Sequence, residues 1–529
     1  MSERLTVASV LTGDTLQTYQ TTTQQQLTDI IANARLCKQQ WAHLDIATRL
    51  KRLKPLSALI LDELDNITAT IMSVTGKVKT EVLLGEIYPV LSLLDYYQHH
   101  AVDILKPCPV VTQPLAFPKA YAQYSYQPYG VVAILSPWNF PWQLSFSPLL
   151  TALIAGNACV LKVSEHSVPV ADLMLKLLAR LGLPQGLVQQ VIGAGDVGAN
   201  LIAARPDFVF FTGSVNTGRA VMAAAAQHPI PVLLELGGND AMLVFADAQL
   251  ERAVNGLLYG AFSNSGQVCV SVERCLVEAS IHDDFVARLQ AAIAQLNVGH
   301  GAIGDLGAIT TDAQLQRIRE HYDDALAKGA KASAPLTIDG RYCYPVLLTN
   351  ITPEMRVWRE ETFGPLLPIM RFSTEQHALE IANNCEFGLN ASVWSQDLIK
   401  AQRVAEHLQV GNWAVNDVIK NIGHPGLPFG GVKNSGFGRY HSAEGLRQFC
   451  YTVSGLVSYQ NLADEPNWFP YSDERYQQLK GFIDFMYGDG AFWQRGRRNY
   501  RELQAFQKYA SLNLRQHWRN FMISWSAKR

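Results

Sequence analysis

Several features that would mark other classes of protein are missing from this sequence of 529 residues. Its 44 lysines and arginines nearly balance 46 aspartates and glutamates, so it lacks the charge excess of a nucleic-acid-binding protein. The eight cysteines include no Cys-x-x-Cys pair and no His cluster at zinc spacing, which predicts a reduced, cytoplasmic protein without a metal. With no run of about 18 apolar residues and no secretory pattern at the N-terminus, neither membrane spanning nor export is expected.

What is present is the composition of a folded protein, with 48% hydrophobic and 17% charged residues, large enough for about three to four domains. Apolar residues at helical spacing, such as Leu50, Leu53 and Leu64, predict a helical lead-in over residues 25–105. The prolines and alternating tyrosines of residues 106–129 predict a hairpin outside the main sheet.

Residues 130–236 alternate short apolar strands with helical segments, which requires a parallel sheet with crossover helices. The sequence therefore predicts an α/β protein with a doubly wound, parallel-sheet cofactor lobe. Residues 237–440 repeat the alternation less regularly and predict a second α/β lobe. The strands expected in the first lobe are residues 130–136, 158–162, 187–192, 208–211 and 231–236.

Three motifs in the first lobe are candidates for cofactor binding. Lys162 and Glu165 follow a strand and could hydrogen-bond ribose hydroxyls, or be two solvated charges. Residues 193–198 match Gly-x-Gly-x-x-Gly, which is either a phosphate loop or a tight turn. Gly213 and Ser214 end another strand, where Ser214 caps a helix whose free N–H groups suit a phosphate.

Three further residues are candidates for catalysis. Asn139 lies between Pro137 and Pro141, so its amide is either held ready for an oxyanion or part of a rigid surface turn. Glu235 ends an apolar strand, where burial should raise its pKa and suit it to general-base work, unless backbone N–H groups satisfy it. Cys269 follows a Ser-Gly break and is either a nucleophile or an inert buried thiol.

Six motifs in this order resemble the signature set of the aldehyde dehydrogenase superfamily over roughly residues 25–460. They are residues 137–141 (PWNFP), 211–214 (FTGS), 234–238 (LELGG), 266–269 (GQVC), 360–365 (EETFGP) and 428–436 (PFGGVKNSG).

The resemblance implies that Cys269 is the nucleophile, that Asn139 and the backbone N–H of Cys269 form the oxyanion hole, and that Glu235 activates the hydrolytic water. It implies NAD as cofactor, with NADP as the alternative. The implied cofactor contacts are Lys162, Glu165, Ser214, Gly213, Trp138, Gly237, Glu361 and Phe363.

The resemblance also implies a domain plan and an assembly. Residues 1–105 and 128–236 would form the NAD(P)-binding domain and residues 237–445 the catalytic domain. Residues 106–127 and 446–462 would form an oligomerisation hairpin in a homodimer or homotetramer, and residues 463–529 a C-terminal extension. The expected activity is oxidation of an aldehyde to a carboxylic acid.

The sequence departs from the family motifs at two places, and three other functions have to be weighed against the expected one. Val163 replaces the usual proline, and Tyr440-His441 stands where many members have an acidic residue, which resembles the fatty- and aromatic-aldehyde branch. A CoA-acylating enzyme usually lacks the base, so Glu235 argues against it. A non-catalytic scaffold, or a cysteine hydrolase using a His, fits the motifs less well.

Two sequence features bear on the substrate. Trp142, Leu144 and Phe146 are expected on an entrance helix without Lys or Arg, which favours an apolar long-chain or aromatic aldehyde. Residues 491–529 hold nine Lys/Arg and one acid, a charge of +8. The apolar stripe of that segment predicts a basic amphipathic helix, which either packs on protein or makes peripheral contact with an anionic membrane. The stripe is Leu503, Phe506, Ala510, Leu514, Trp518, Phe521 and Trp525.

Overall fold

The computed structural model of the chain describes residues 3–113, 116–299 and 304–506. It divides into two compact units. One contains the chain up to residue 104 and residues 128–451, and the other contains residues 105–127 and the chain from residue 452 onward.

The first unit begins with an antiparallel hairpin that sequence patterning did not predict, β1 (Arg4–Ala8) and β2 (Thr15–Gln20). The helical lead-in predicted for residues 25–105 is confirmed. Thr23 and Gln26 form a capping box at its start, so two otherwise unpaired backbone N–H groups are satisfied there. The elements are α1 (Gln24–Ala42), α2 (Ile46–Leu53), α3 (Leu56–Asp62), α4 (Leu64–Thr75), α5 (Lys79–Val82), a π-helical turn (Leu83–Ile87) and α6 (Tyr88–Leu105).

A short hairpin follows α6, as the sequence predicts for residues 106–129. Its strands, β3 (Cys108–Val110) and β4 (Ala120–Pro128), pair antiparallel with Cys108 opposite Tyr124.

The cofactor lobe predicted between residues 130 and 236 is a parallel sheet of five strands in the order β9-β8-β5-β6-β7. Every residue of β5, β6 and β8 is buried, because helices cover both faces, and this accounts for their unbroken apolar sequences. The elements are β5 (Val131–Leu135), α7 (Gln143–Ala155), β6 (Ala158–Lys162), α8 (Val168–Ala179), β7 (Val188–Gln190), α9 (Gly195–Ala203), β8 (Phe208–Thr212), α10 (Val215–Ala225) and β9 (Val232–Glu235).

The second α/β lobe contains a seven-stranded sheet in the order β12-β15-β16-β11-β10-β18-β19, parallel except for the edge strand β12. A late strand, β21, returns to the first sheet and pairs antiparallel with β9, with Gly436 opposite Glu235. The elements are β10 (Asp240–Val244), α11 (Leu250–Phe262), a 3-10 turn (Ser263–Gly266), β11 (Val272–Glu278), α12 (His282–Ile293), α13 (Asp312–Ala327), β12 (Lys331–Ala332), β13 (Ile338–Asp339), β14 (Tyr342–Cys343), β15 (Val346–Thr349), α14 (Arg356–Arg359), β16 (Leu366–Phe372), α15 (Glu375–Asn383), β17 (Phe387–Gly388), β18 (Asn390–Trp394), α16 (Leu398–Glu406), β19 (Asn412–Val415), β20 (Val432–Lys433), β21 (Gly436–Phe437) and α17 (Ser442–Gln448).

The second unit joins the hairpin to the C-terminal part of the chain. Strand β22 (Cys450–Ser458) pairs with β4 to give the sheet β22-β4-β3. Three helices follow, α18 (Asp473–Tyr487), α19 (Phe492–Arg498) and α20 (Tyr500–Phe506). The helix predicted beyond residue 506 lies outside the described residues. Within the described parts of the chain, no helix has the length and apolar content needed to cross a bilayer.

Candidate active site

Four neighbouring parallel strands of the first sheet end at the same edge, and each is followed by sequence-predicted site residues. Strand β5 leads to Asn139, β6 ends in Lys162, β8 leads to Ser214, and β9 ends in Glu235. Ligands bind at the carboxyl ends of such strands. The strand order therefore brings together side chains that are far apart in the sequence.

The turn after β5 connects this edge to the segment that carries Cys269. Asn139 is buried, and its side-chain nitrogen Nδ2 donates to the carbonyl of Gln267 at 3.0 Å. An amide nitrogen carries two N–H donors, so a second one is left for an oxygen in the site. The rigid surface turn considered from the sequence is therefore not what the structure contains.

The segment before Cys269 leaves α11 through two residues in the left-handed backbone region, Asn264 (φ 50°) and Ser265 (φ 57°). Such conformations are unfavourable for residues with a side chain and persist only where surrounding contacts fix them. Here Ser265 donates to the carbonyl of Gly307 at 2.8 Å, and the Gln267 amide accepts from the backbone N–H of Thr310 at 2.9 Å. The break in the helix turns the chain so that Cys269 faces the cavity.

The thiol of Cys269 lies among carboxylates. Burial first, and then the negative charges of Asp240, Glu361 and Glu235, raise its pKa well above the usual range of a thiol. The residue is nevertheless part of the cavity wall and partly exposed. The thiol is therefore protonated at neutral pH and needs a proton acceptor before it can attack.

Glu235 is an unpaired buried carboxylate. It is 3% exposed, and neither of its oxygens has a hydrogen-bond partner among the described residues. Burial raises its pKa well above the ordinary value, and the charge of Arg439 opposes that shift in part. Backbone N–H groups do not satisfy this carboxyl, so the structural alternative considered from the sequence is excluded.

Two glycines after Glu235 let other parts of the site approach closely. A Cβ on Gly238 would lie 2.3 Å from the backbone oxygen of Cys269, and one on Gly237 would lie 2.3 Å from a carboxylate oxygen of Glu361. The carboxylate of Glu361 accepts from the backbone N–H of Gly238 at 3.0 Å. Burial raises the pKa of Glu361 to about 7.

Sequence reasoning missed the residue that holds the Glu361 loop. Glu273, on β11, accepts from the backbone N–H groups of Thr362 and Phe363, both at 2.6 Å. Phe363 has a left-handed backbone (φ 57°), and its ring meets the ring of Trp138 edge-on at 5.7 Å. The available signal was the charged pair Glu273-Arg274 among the apolar residues of that strand, because a buried Glu needs partners.

The cofactor candidates of the first lobe lie around the ends of β6 and β8. Lys162 is almost buried, and its Nζ lies 4.0 Å from the Glu165 carboxylate. Ser214 caps α10 by accepting from the backbone N–H of Thr217 at 3.3 Å, as predicted. Thr212, at the end of β8, has a buried hydroxyl without a partner in the described chain.

A cavity of about 250 Å³ joins Thr212 and Ser214 to the catalytic candidates, whereas Lys162 and Glu165 are not part of its wall. Its wall includes Leu144 of the predicted entrance helix, whereas Trp142 and Phe146 are fully buried and pack against each other at 5.0 Å. It also includes a cation that the sequence did not point to, Arg317 on α13, whose charge acts on Glu361. The wall residues are Pro137, Trp138, Asn139, Leu144, Thr212, Gly213, Ser214, Glu235, Leu236, Gly237, Cys269, Thr311, Ala313, Gln314, Arg317, Glu361 and Phe363.

The chemistry of the wall suits covalent work on a small carbonyl compound. A thiol, an amide donor and an unpaired carboxyl border one space. Among the described residues, no group of three or more His, Cys, Asp or Glu side chains is arranged to hold a metal ion.

Comparison with known proteins gives consistent matches over most of the chain. A model of the aldehyde dehydrogenase family matches residues 1–454. A 4,4'-diapolycopene aldehyde oxidase of a Methylomonas species is 56% identical over 505 residues, which is 95% of this chain and 94% of that protein. A putative succinate-semialdehyde dehydrogenase [NADP(+)] of Mycobacterium bovis is 34% identical over 86% of this chain and 88% of its own length.

Solved structures match the fold as well. The betaine aldehyde dehydrogenase of Staphylococcus aureus in complex with NAD+ superimposes with a TM-score of 0.82 at 28% identity, covering 89% of this chain and 94% of the other. An NADP-dependent enzyme of E. coli gives a TM-score of 0.82 at 30% identity, covering 86% of this chain and 95% of the other.

Proposed function

The chain belongs to the aldehyde dehydrogenase family and is an aldehyde-oxidising oxidoreductase, and we propose that it converts an apolar aldehyde to the carboxylic acid with NAD+. The observation that supports this best is the cavity in which Cys269, Asn139 and Glu235 meet.

In the first half-reaction the Cys269 sulfur forms a bond to the aldehyde carbon after its proton leaves. Burial and the surrounding carboxyls raise the pKa of the thiol, so its proton must be removed before the attack. Water at the partly exposed thiol accepts that proton, which leaves Glu235 for the second half-reaction. The carbonyl oxygen then carries negative charge. Asn139 Nδ2 and the backbone N–H of Cys269 donate to it.

In the second half-reaction Glu235 takes a proton from water, whose oxygen attacks the thioester on Cys269. The carbon–sulfur bond breaks, the acid leaves and the thiol regains a proton. A carboxyl with a raised pKa holds this proton more readily than an exposed one, which is the property a general base needs.

The cofactor side of the cavity fits a nicotinamide dinucleotide. The buried, unpartnered hydroxyl of Thr212 and the capped start of α10 lie at the phosphate end, and Lys162 with Glu165 offers a donor and an acceptor for a ribose. Trp138, Gly213, Gly237, Glu361 and Phe363 complete the set that would hold it. When bound, the group supplies the acceptor for the hydride of the aldehyde carbon. Glu165 would repel a 2′-phosphate, which favours NAD+ over NADP+.

The substrate proposal rests on the Asn139 side of the cavity and on one relative. Leu144 is the wall residue contributed by α7, and the sequence of that helix contains no Lys or Arg. Arg317 is also in the cavity wall, but its charge acts on Glu361. The relative at 56% identity is named for an aldehyde of an apolar carotenoid. We therefore favour a long-chain or aromatic aldehyde over a carboxylated one.

The decisive experiment is NADH absorbance with a panel of aldehydes matched in concentration. We expect medium-chain, polyene and aromatic aldehydes to exceed succinic semialdehyde in kcat/KM. A panel led by succinic semialdehyde would reject the apolar substrate. Absence of NADH unless coenzyme A is added would favour the CoA-acylating alternative, and its absence throughout would favour the scaffold.

The C-terminal extension supports the same substrate class. The relative at 56% identity aligns with 95% of this chain, which is long enough to include most of the extension, whereas the relative at 34% identity aligns with 86%. The described part of the extension exposes large aromatic side chains, among them Phe469 (81%), Trp493 (67%) and Trp468 (51%). With the +8 charge of residues 491–529, these side chains suit an anionic lipid surface. Deleting residues 491–529 should reduce sedimentation with anionic, but not neutral, liposomes, and equal sedimentation would contradict this.

Assembly into a homodimer or homotetramer is the remaining element of the proposal. Strand β22 lies at the edge of its sheet, and eight of its nine residues are exposed, including Val453 and Leu456. Exposed apolar edges pair with other chains. Light scattering should show an oligomer that Leu456→Lys weakens, and a wild-type monomer would refute it.

A further inference from the structure

Behind the Asn139 turn lies an ion pair that the proposed mechanism does not use. Lys77 follows α4, and Glu86 lies in the π-helical turn. Their Nζ and Oε1 atoms are 2.5 Å apart, and both side chains are fully buried. Among the ion pairs of the described residues, it is the one in which neither side chain reaches solvent. A buried pair is costly to desolvate, so its contacts deserve a functional explanation.

Lys77 binds the backbone of the turn that carries Asn139. Lys77 Nζ donates to the carbonyl oxygen of Asn139 at 2.5 Å and lies 3.5 Å from the centre of the Phe140 ring. The same carbonyl accepts from Asn264 Nδ2 at 3.3 Å. The residue that carries the amide donor is thus held through its own main chain from two sides.

The glutamate holds the other end of the turn. Glu86 Oε2 accepts from the backbone N–H groups of Trp142 at 3.0 Å and Gln143 at 2.9 Å. These groups lie at the start of α7, which has no side-chain cap of its own. A carboxylate at a helix N-terminus is favourable because of the free N–H groups and the helix dipole there. Residues 139–143 are therefore clamped at both ends by one ion pair.

We propose that Lys77 and Glu86 are positioning residues that fix the Asn139 amide where the oxyanion develops. The proposal rests on the proposed function, since it concerns the rate of the Cys269 step. Neither residue is in the cavity wall, so the pair acts through the turn and not on substrate. An oxyanion donor must be held within a fraction of an ångström, because small misplacements slow the step strongly.

The test is a double-mutant cycle with Asn139. Lys77→Met/Glu86→Gln removes both charges and keeps an oxygen for the Trp142 and Gln143 N–H groups. We expect it to slow single-turnover hydride transfer by about 10- to 100-fold, with the aldehyde KM changed less than about 3-fold. In an Asn139→Ala background, the same change should alter the rate by less than about 2-fold. The matched control is the exposed pair of α12, as Asp284→Asn/Arg288→Met, which should leave rate and Tm unchanged.

The outcomes separate positioning from folding. An unchanged hydride-transfer rate in the charge-free variant overturns the proposal. A rate decrease in the Asn139→Ala background as large as in the wild type also overturns it, because the pair then does not act through Asn139. If the double variant does not fold, Glu86→Gln alone replaces it in the same cycle.

Failure of the proposed function gives a different result. In that case the wild type forms no NADH with any aldehyde, and amide hydrogen exchange of residues 137–143 becomes the readout. Faster exchange in the charge-free variant than in the α12 control supports a clamped turn, and equal exchange overturns it.

Discussion

Glu235→Gln separates the two half-reactions. The substitution keeps the size of a side chain that is 3% exposed and removes the group proposed to take the proton from water. General-base catalysis contributes on the order of 10²- to 10⁴-fold, so steady-state turnover should fall by that factor. The first NADH should still form, because the Asn139 amide and the Cys269 sulfur remain.

Rapid mixing with saturating NAD+ and an apolar aldehyde is the assay. We expect a burst of about one NADH per site followed by a slow phase, and an intact mass increased by the acyl group on Cys269. Hydroxylamine, which cleaves thioesters, should restore turnover, and Cys269→Ala should show no burst. A variant that binds NAD+ but gives no burst would mean that Glu235 is already needed in the first half-reaction. Steady-state turnover near that of the wild type would remove it as the base.

The same substitution has a stability consequence whose sign follows from the pKa. Burial raises the folded-state pKa of Glu235, so the folded protein binds the proton more tightly than the unfolded chain. Wild-type stability is highest below the unfolded pKa and falls as pH rises through the folded pKa. The variant has no such proton. Its Tm should therefore exceed that of the wild type at alkaline pH, and the gap should close in acid.

Three further outcomes are expected. Glu165→Gln should raise kcat/KM with NADP+ relative to NAD+ by about 10-fold, since a charge beside the ribose is removed; an unchanged ratio would show that Glu165 does not face the 2′ position. Gly238→Ala should abolish NADH formation, because its Cβ would lie 2.3 Å from a backbone oxygen of Cys269, and wild-type activity would refute this close packing. Alkylation of Cys269 in the enzyme without substrate should accelerate steadily between pH 7 and pH 10, because burial and three carboxyls raise the pKa of its thiol; a plateau at neutral pH would contradict that environment.

The local pattern of apolar residues was sufficient to predict the strands and helices of the first lobe. Strands buried on both faces need unbroken apolar runs, so β6 appears in the sequence at residues 158–162 without any knowledge of its neighbours. The break before Cys269 was also readable, since Ser-Gly after an apolar helix disrupts it. The β1–β2 hairpin was not predicted, because its strands are short and polar and each buries a single residue, Val7 in β1 and Tyr19 in β2.

The chemistry of individual residues needed the fold. From the sequence, the carboxyl of Glu235 could either have hydrogen-bond partners or lack them. The structure, in which β21 pairs with β9 beside it, shows that it has none among the described residues. The apolar sequence at the start of α7 does not reveal which side chains line the cavity. Trp142 and Phe146 are buried in the protein interior, whereas Leu144 is part of the cavity wall.

By itself the sequence determined the parallel sheet, the order of strands and helices, and which side chains stand at strand ends, since these follow from hydrophobic periodicity within short windows. Only the tertiary structure decided which strand ends are neighbours, that Glu273 holds the Phe363 loop, and that Lys77 and Glu86 clamp the Asn139 turn. Those contacts join residues that lie between 56 positions apart, for Glu86 and Trp142, and 90 positions apart, for Glu273 and Phe363. Nothing in a local pattern encodes such a pairing, because it depends on the register in which whole elements pack.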